Sequence, residues 1–126
     1  MLFRSAIKTL EIMERDKIVE NSANLGKHLL DRLNEMADHP HVDDIHGLGL
    51  FTGFEIVKDK ANRISYDPAL AIPRKFVAAG SKRGVTVRSS VSTGRIQVAP
   101  PLVATIDDVD NIVDVMKLAL GDLALD

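Results

Sequence analysis

The sequence predicts an α+β domain, in which a small, mostly antiparallel sheet is covered on one face by helices. Apolar residues recur at helical spacing in several segments, and short apolar runs bounded by glycine and proline lie between these segments. The resulting order is helix, helix, strand, strand, helix, strand, strand, helix. A length of 126 residues suits one such domain with a single core.

The first third of the chain predicts two helices. The first extends from Phe3 to about Arg15, with apolar residues at Phe3, Ile7, Leu10 and, less strictly, Met13. Leu2 extends the apolar stripe of this helix. The second continues until Pro40, which is expected to stop it. Its apolar face consists of Ile18, Leu25, Leu29, Leu33 and Met36. Gly26 inside this helix costs about 1 kcal/mol relative to alanine, and a close approach to another element would explain it.

The middle of the chain predicts two strands. Val42 and Ile45 precede a break at Gly47 and Gly49, and a mostly apolar run extends from Leu50 to Val57. This pattern predicts two strands with a bulge or a bend between them.

A polar loop, "KDKANRISYDP", separates these strands from a third helix and a hairpin. The helix begins at Pro68, with a kink at Pro73, or begins at Pro73, and it ends at Gly80 or Gly84. Its inward face consists of Ile72, Phe76 and Ala79. Two short strands, "VTVR" and "RIQVAPPL", then flank the turn "SSVSTG".

The last helix carries both a start signal and an apolar face. Thr105 followed by Asp108 resembles a capping box, with aspartate in place of the usual glutamate or glutamine. The apolar face consists of Val109, Ile112, Val113, Met116 and Leu120. This segment therefore predicts an amphipathic helix.

Composition excludes several classes of function. A net charge of -2 without a basic block excludes a nucleic-acid partner. The chain contains no cysteine, hence no disulfide and no thiol nucleophile, which fits a reducing compartment. No apolar stretch is long enough for a membrane span, and the N-terminus is not a signal peptide. We therefore expect a cytoplasmic protein without a membrane partner.

A group of histidines and aspartates follows the second helix. Its members are His39, His41, Asp43, Asp44 and His46. Such side chains bind transition metals, but the usual spacing that places two histidines on one helical face is absent. A solvated turn is the better interpretation, and no metal site is predicted.

Two further patterns have structural explanations. The glycines of "HGLGLFTG" resemble a phosphate loop, but a dinucleotide fingerprint would open a helix, whereas a strand follows here. The carboxylates of Asp43 and Asp44, or of Glu55 and Asp59, could form an acid–base pair. Adjacent acids in a strand point to opposite faces, however, and an acid at a strand end is usually solvated.

No nucleophile or imine-forming residue is apparent. The serines at positions 89, 90 and 92 lack the glycine-framed elbow of a serine nucleophile. The lysines lie on helix faces or in loops, and none has the apolar setting that imine chemistry requires. The residues by themselves therefore predict a domain without an autonomous active site.

Three stretches in a fixed order nevertheless resemble a known family. They are the region from Ala6 to Lys60, the segment "KRGVTVR" and the region from Arg95 to Leu120. Their shared features are a helix ending in "HP", a strand bend "V..I.GLGL", a strand "G..VR" and an "APPL" segment before a capped helix. Together they resemble the C-terminal small domain of class III aminotransferases, the pyridoxal-phosphate enzymes that include ω-amino acid and amine transaminases. The family usually has an arginine where this chain has His46.

The resemblance implies a part of a larger enzyme. Residues 1–126 would form the small domain of a fold-type-I enzyme, beginning in the interdomain helix, with the large domain absent. In this family the large domain holds pyridoxal phosphate and the imine-forming lysine, so we expect this chain alone to bind no cofactor and to be inactive. The complete enzyme would transfer an amino group between an amine or amino acid and a keto acid, as a homodimer.

The resemblance also points to one substrate-binding residue. In ω-amine transaminases the arginine of the "G..VR" strand often binds the substrate carboxylate, and this position is Arg88. The turn after it is longer than in many family members, which could give the role to Arg95 instead. A solvated hairpin arginine is the plain alternative for Arg88.

Two other functions stay open at the level of sequence. One is a stand-alone α+β module for binding or regulation, whose sheet takes a peptide or a metabolite. The other is a structural domain that dimerises through the helix "LFRSAIKTLEIM". The first helix exposes an apolar stripe, so self-association is expected for such a structural domain. It is equally expected for a small domain that has been separated from its large domain.

Overall fold

The computed structural model describes residues 2–125, without the side chain of Leu2. In this range the chain forms four α-helices. They are α1 (Leu2–Arg15), α2 (Ile18–Asn34), α3 (Ile72–Ser81) and α4 (Ile106–Gly121). The strands are β1 (Val42–Leu48), β2 (Phe51–Asp59), β3 (Ile64–Ser65), β4 (Arg88–Ser89) and β5 (Arg95–Val98). The predicted order of elements is confirmed, with β3 as an addition.

All paired strands of the sheet are antiparallel. The order across the sheet is β1-β2-β5-β4, and β3 pairs with the end of β2. The strand β2 is therefore central, because β1 and β5 flank it. Consecutive strands β1 and β2 form a tight hairpin, whereas α3 lies between β2 and β5 in the chain.

The helices cover one face of this sheet. Side chains alternate along β2, so that Thr52, Phe54 and Ile56 are buried on the same side. Ile96 and Val98 of β5 lie beside them across the strand pair. Leucines of α2 and valines of α4 close the core from the other side. They are Leu25, Leu29, Leu33, Val109 and Val113. The predicted α+β fold class is confirmed.

The end of α2 differs from the prediction. The helix ends at Asn34, well before Pro40, although Met36 beyond it is still buried. The amide N–H groups of Glu35 and Met36 donate to carbonyls three residues back instead of four, at 3.2 and 2.9 Å. This tightening into 3-10 turns ends the helix, so the expectation that Pro40 stops it was wrong.

The predicted polar loop contains a short strand. Ile64 and Ser65 pair with the end of β2. Asp59 stabilises the turn between β2 and β3. Its carboxylate accepts hydrogen bonds from the backbone and side-chain amides of Asn62 at 3.0 and 2.7 Å. An aspartate that satisfies the turn in this way lets the chain reverse immediately after β2.

The hairpin that carries Arg88 is also shorter than predicted. The segment "VTVR" joins the sheet only at Arg88, and the residues before it line a hollow with "VAPP" without forming a ladder. Pro100 and Pro101 lack the N–H that a ladder needs, which explains the early end of pairing. Arg88 is therefore the first paired residue of an edge strand.

The structure also decides the two remaining predictions on helix starts. Pro68 opens a 3-10 turn, and α3 begins one residue before Pro73, so both prolines begin a helical segment. At α4 the Thr105 hydroxyl accepts from the Asp108 N–H at 3.2 Å, and the Asp108 carboxylate accepts from the Thr105 N–H at 2.8 Å. This is the predicted capping box.

Ion pairs fasten α2 to α4. Arg32 pairs with Asp110 and Asp114 of α4. Glu35, just beyond α2, forms ion pairs with Lys117 of α4 and with Arg32. The hydrogen bonds from Lys117 and then Arg32 lower the pKa of Glu35 from 4.5 to about 2. The folded state therefore stabilises the charged form of the Glu35 carboxyl group.

Stability is expected to fall as the pH drops from about 4.5 to about 2. The pKa of Glu35 is lower in the folded chain than in the unfolded chain, so its contribution is present above 4.5 and is lost as the pH falls through 2. Urea midpoints measured across this range should show a shallower decline for Glu35→Gln. The exposed Glu14, which has no such partner, supplies the control Glu14→Gln, and equal profiles for both variants would contradict this assignment.

Candidate functional site

The face of the sheet opposite the helices is open and carries a row of residues from four strands. His46 pairs with Gly53, Gly53 with Gln97, and Gln97 with Arg88. Directly paired residues point to the same face, so this row crosses β1, β2, β5 and β4. We call this surface the open face.

Arg88 lies at the edge of the open face. Its side chain is exposed, and its guanidinium forms no hydrogen bond or ion pair with any residue that the structure describes. It lines a shallow hollow with Ser89, Ser90, Arg95 and Gln97. This hollow therefore contains a cation whose donors are all available.

Arg95 lies in the same hollow but is engaged by three side chains. Its Nη2 donates to the carboxylates of Glu55 at 2.6 Å and Asp44 at 2.8 Å, and its Nη1 lies 3.1 Å from His46 Nε2. The hydrogen bond to Glu55 is the main cause of the raised pKa of Arg95. Of the two arginines that the sequence left as candidates, Arg95 is paired and Arg88 is not.

A bulge in β1 makes this arrangement possible. The register with β2 shifts between Asp43 and His46, and Asp44 has φ 48°, a left-handed conformation. Asp43 and Asp44 consequently line one hollow together with Glu55. The expectation that these adjacent acids point to opposite faces was wrong, because the bulge breaks the alternation on which it depended.

The predicted bend is a separate feature at the tip of the hairpin. Leu48 pairs with Phe51 across a two-residue turn whose Gly49 has φ 55°. Both paired side chains are exposed, Leu48 by 90% and Phe51 by 65%. The open face therefore changes from apolar at this tip to polar around Arg95 and Arg88.

The cluster of Asp44, His46, Glu55 and Arg95 was not found from the sequence. Its members come from three strands and are up to 51 residues apart in the chain. The one signal in the sequence was the run of polar residues before Gly47 in a segment otherwise typical of a strand.

The other histidines form their own contacts. The rings of His39 and His41 lie 5.8 Å apart, and His41 Nδ1 lies 3.0 Å from the Val57 carbonyl and 3.2 Å from the Tyr66 hydroxyl. Burial lowers the pKa of His39. Across residues 2–125, no three histidine, cysteine or acidic side chains are placed to hold a metal ion.

The described residues do not fit pyridoxal phosphate. That cofactor needs a lysine for its imine, and the described lysines lie on helix surfaces, at helix ends or near the end of β2. Lys60 donates to the Ala37 carbonyl, and Lys117 pairs with Glu35. The N-terminus of α4, a possible phosphate site, is already capped by Thr105 together with Asp108.

No helix in the part of the chain that the structure describes is long and apolar enough to cross a membrane.

Comparison with known proteins identifies aminotransferases as relatives of this chain. The chain is 37% identical to the taurine–pyruvate aminotransferase of Bilophila wadsworthia over 116 residues, which cover 86% of this chain and 25% of that protein. Its structure matches an (S)-enantioselective omega-transaminase from Thermomicrobium roseum with a TM-score of 0.87 and 32% identity, over 93% of this chain and 26% of that one. It also matches an omega-transaminase from Pseudomonas jessenii in complex with PMP. That match has a TM-score of 0.86 and 29% identity, and it covers 93% of this chain and 25% of that one.

The chain spans about a quarter of the length of the relatives that it matches. The family model "Aminotransferase class-III" matches residues 4–120, which is nearly all of the sequence. The chain belongs to the class-III aminotransferase family.

Proposed function

We propose that residues 1–126 form the small domain of a pyridoxal-phosphate-dependent aminotransferase, and that Arg88 binds the substrate carboxylate there. The complete enzyme transfers an amino group between an amine or amino acid and a keto acid. One observation carries the role of Arg88: it is the unpaired guanidinium in a hollow of the open face whose other arginine is bound to two carboxylates.

The chemistry of Arg88 suits a carboxylate. A guanidinium offers a planar fork that binds both carboxylate oxygens, and such charge-assisted hydrogen bonds are stronger than neutral ones. β4 has only two residues and ends in a turn rich in serine and glycine. The side chain can therefore move aside for an amine without a carboxylate.

The chain contributes binding and coverage rather than covalent chemistry. Because no lysine fits the cofactor, the imine-forming lysine belongs to the remainder of the enzyme, and we expect the 126-residue chain alone to be inactive. A sheet face that closes over the site excludes water from the reaction. A cytoplasmic location belongs to the same proposal, supported by a composition without cysteine.

Replacing Arg88 with alanine in the complete enzyme tests this role. Loss of a charge-assisted pair in a shielded site should lower kcat/KM for keto acids and amino acids by roughly 10- to 150-fold, about 1.5–3 kcal/mol. Turnover of amines without a carboxylate should be spared. Arg74→Ala, which changes another unpaired arginine, supplies the control.

Two results of this experiment would overturn the assignment. Equal losses for both substrate classes would show that Arg88 supports the enzyme without binding the carboxylate. A loss confined to Arg95→Ala would show that the other arginine binds it.

A second role, association through α1, has its own observation. Phe3, Ile7 and Leu10 are exposed by 85%, 57% and 65%, a contiguous apolar stripe along one helix. Leu2, the fourth predicted member of the stripe, has a side chain outside the described residues. We propose that this stripe is an interface, whether with the remainder of the enzyme or between two copies.

The isolated chain is expected to self-associate through this stripe. Sedimentation velocity should show an average mass that rises with concentration, and Ile7→Glu should keep the chain monomeric. Lys8→Glu is the control, because it also introduces a negative charge but at the neighbouring position outside the stripe. A wild-type chain that sediments as a monomer at high concentration would contradict the prediction.

A further inference from the structure

We propose that Asp44 and Glu55 set the substrate class of the open face: by holding Arg95, they leave one carboxylate site, at Arg88, and keep a second carboxylate out. The site then accepts monocarboxylic keto acids and amino acids in preference to dicarboxylic ones. This inference rests on the proposed role of Arg88 and adds two specificity-determining residues to it.

The two arginines are close enough to act as a pair. Arg88 lies opposite Gln97, and Arg95 precedes Gln97 by two residues on the same strand. The two arginines are thus diagonal neighbours on one face, about 7–8 Å apart at their Cα atoms. Both line the same hollow. If both guanidinium groups were available, one five-carbon dicarboxylate could bridge them.

Arg95 is held on three sides. Its Nη2 bonds both carboxylates, and its Nη1 faces His46 Nε2. Arginine can only donate, so Nε2 is the acceptor and the proton of the neutral ring lies on Nδ1. Nδ1 then donates to the backbone carbonyl of Asp44 at 2.9 Å. His46 therefore links the bulge to Arg95 and fixes the direction of the guanidinium.

The charge around Arg95 also disfavours a second carboxylate. The carboxylates of Asp43, Asp44 and Glu55 line the adjoining hollow, with Arg63 as its cation. Three carboxylates therefore lie around the guanidinium groups of Arg63 and Arg95. A carboxylate that approaches Arg95 meets more negative charge than one that approaches Arg88, which lies further from these acids.

The backbone of Asp44 places its carboxylate. Asp44 has φ 48°, a left-handed conformation that aspartate adopts more readily than most residues with a side chain. Here the bulge brings Asp44 to the same guanidinium as Glu55, which an unbroken strand would not do.

Side-chain NMR of the full chain tests the proposal, with propionate and glutarate as probes at constant ionic strength. In the wild type, rotation of the Arg95 guanidinium should be slow and that of Arg88 fast. Both probes should shift Arg88 with similar affinity and leave Arg95 unchanged. In Asp44→Asn/Glu55→Gln, glutarate should shift both arginines and bind about two- to five-fold more tightly than propionate, the range for one exposed ion pair.

The outcomes separate this inference from the proposal on which it rests. Failure of Arg88 to respond to either probe in the wild type would overturn the carboxylate site itself. A response at Arg88 with no gain for glutarate in the double variant would overturn only the role of Asp44 and Glu55. If the double variant does not fold, Glu55→Gln and the wild-type rotation rates decide, and a freely rotating Arg95 would contradict the inference.

Discussion

Replacing Gly26 with alanine is expected to lower the free energy of unfolding by about 3 kcal/mol, the upper end of the usual cost of overpacking. Gly26 lies on the buried side of α2, against the turn between β1 and β2. A Cβ atom there would stand 2.2 Å from both the carbonyl carbon and the carbonyl oxygen of Gly49. Those atoms are backbone, so the helix must move away from the hairpin that forms one side of the open face.

Urea denaturation followed by circular dichroism measures this effect. Gly121, in the last turn of α4, is a matched control, because a Cβ atom added there meets nothing within 4 Å. Gly121→Ala should be neutral or slightly stabilising. Equal midpoints for Gly26→Ala and the wild type would contradict the close approach of α2 to the hairpin.

Truncating Phe54 to alanine is expected to cost about 3–5 kcal/mol, the range for a large buried aromatic residue. Phe54 is fully buried at the centre of β2, opposite Ile96. Its ring meets that of Phe76 from α3 edge to face, with centroids 5.8 Å apart and planes at 89°. The variant loses the contact that joins the central strand to α3, besides leaving a cavity.

Phe51 on the same strand provides the control for this experiment. It points to the open face and is 65% exposed, so Phe51→Ala should change stability by less than about 1 kcal/mol. Thermal or urea unfolding of both variants compares the two faces of β2 directly. Similar losses for the two phenylalanines would show that the assignment of buried and open faces is incorrect.

The sequence was most informative where one short-range rule decides the structure. Apolar spacing located α2 and α4, since a helix returns to the same face every three to four residues. The capping box of α4 was readable because Thr105 and Asp108 satisfy each other's backbone within one turn. These features depend on residues that are close in the chain, so the spacing and chemistry of those residues predict them.

Contacts between distant segments were not readable in the same way. Nothing local indicates that Gly26 must face Gly49, although a close approach was one explanation for a glycine in a helix. The bulge at Asp44 reverses the direction in which an aspartate points, and period-two alternation cannot anticipate it. The pairing of Asp44 and Glu55 with Arg95 therefore required the folded sheet.

The two arginines illustrate the difference between residue type and environment. As a sequence, "RSSVSTGR" offers the same side chain at each end of a turn. In the fold, Arg95 lies opposite Glu55 and is neutralised, whereas Arg88 lies opposite the uncharged Gln97. The role of Arg88 stays a prediction, but the folded sheet distinguishes two residues that the sequence could not.

A structure of the complete enzyme with a bound monocarboxylic keto acid would show whether Arg88 binds the substrate carboxylate. Both terminal nitrogens of Arg88 should lie about 2.7–2.9 Å from the substrate carboxylate, the range for a charge-assisted pair. Arg95 should stay on Asp44 and Glu55. A carboxylate bound to Arg95, or bound with Arg88 still exposed to solvent, would contradict the role of Arg88.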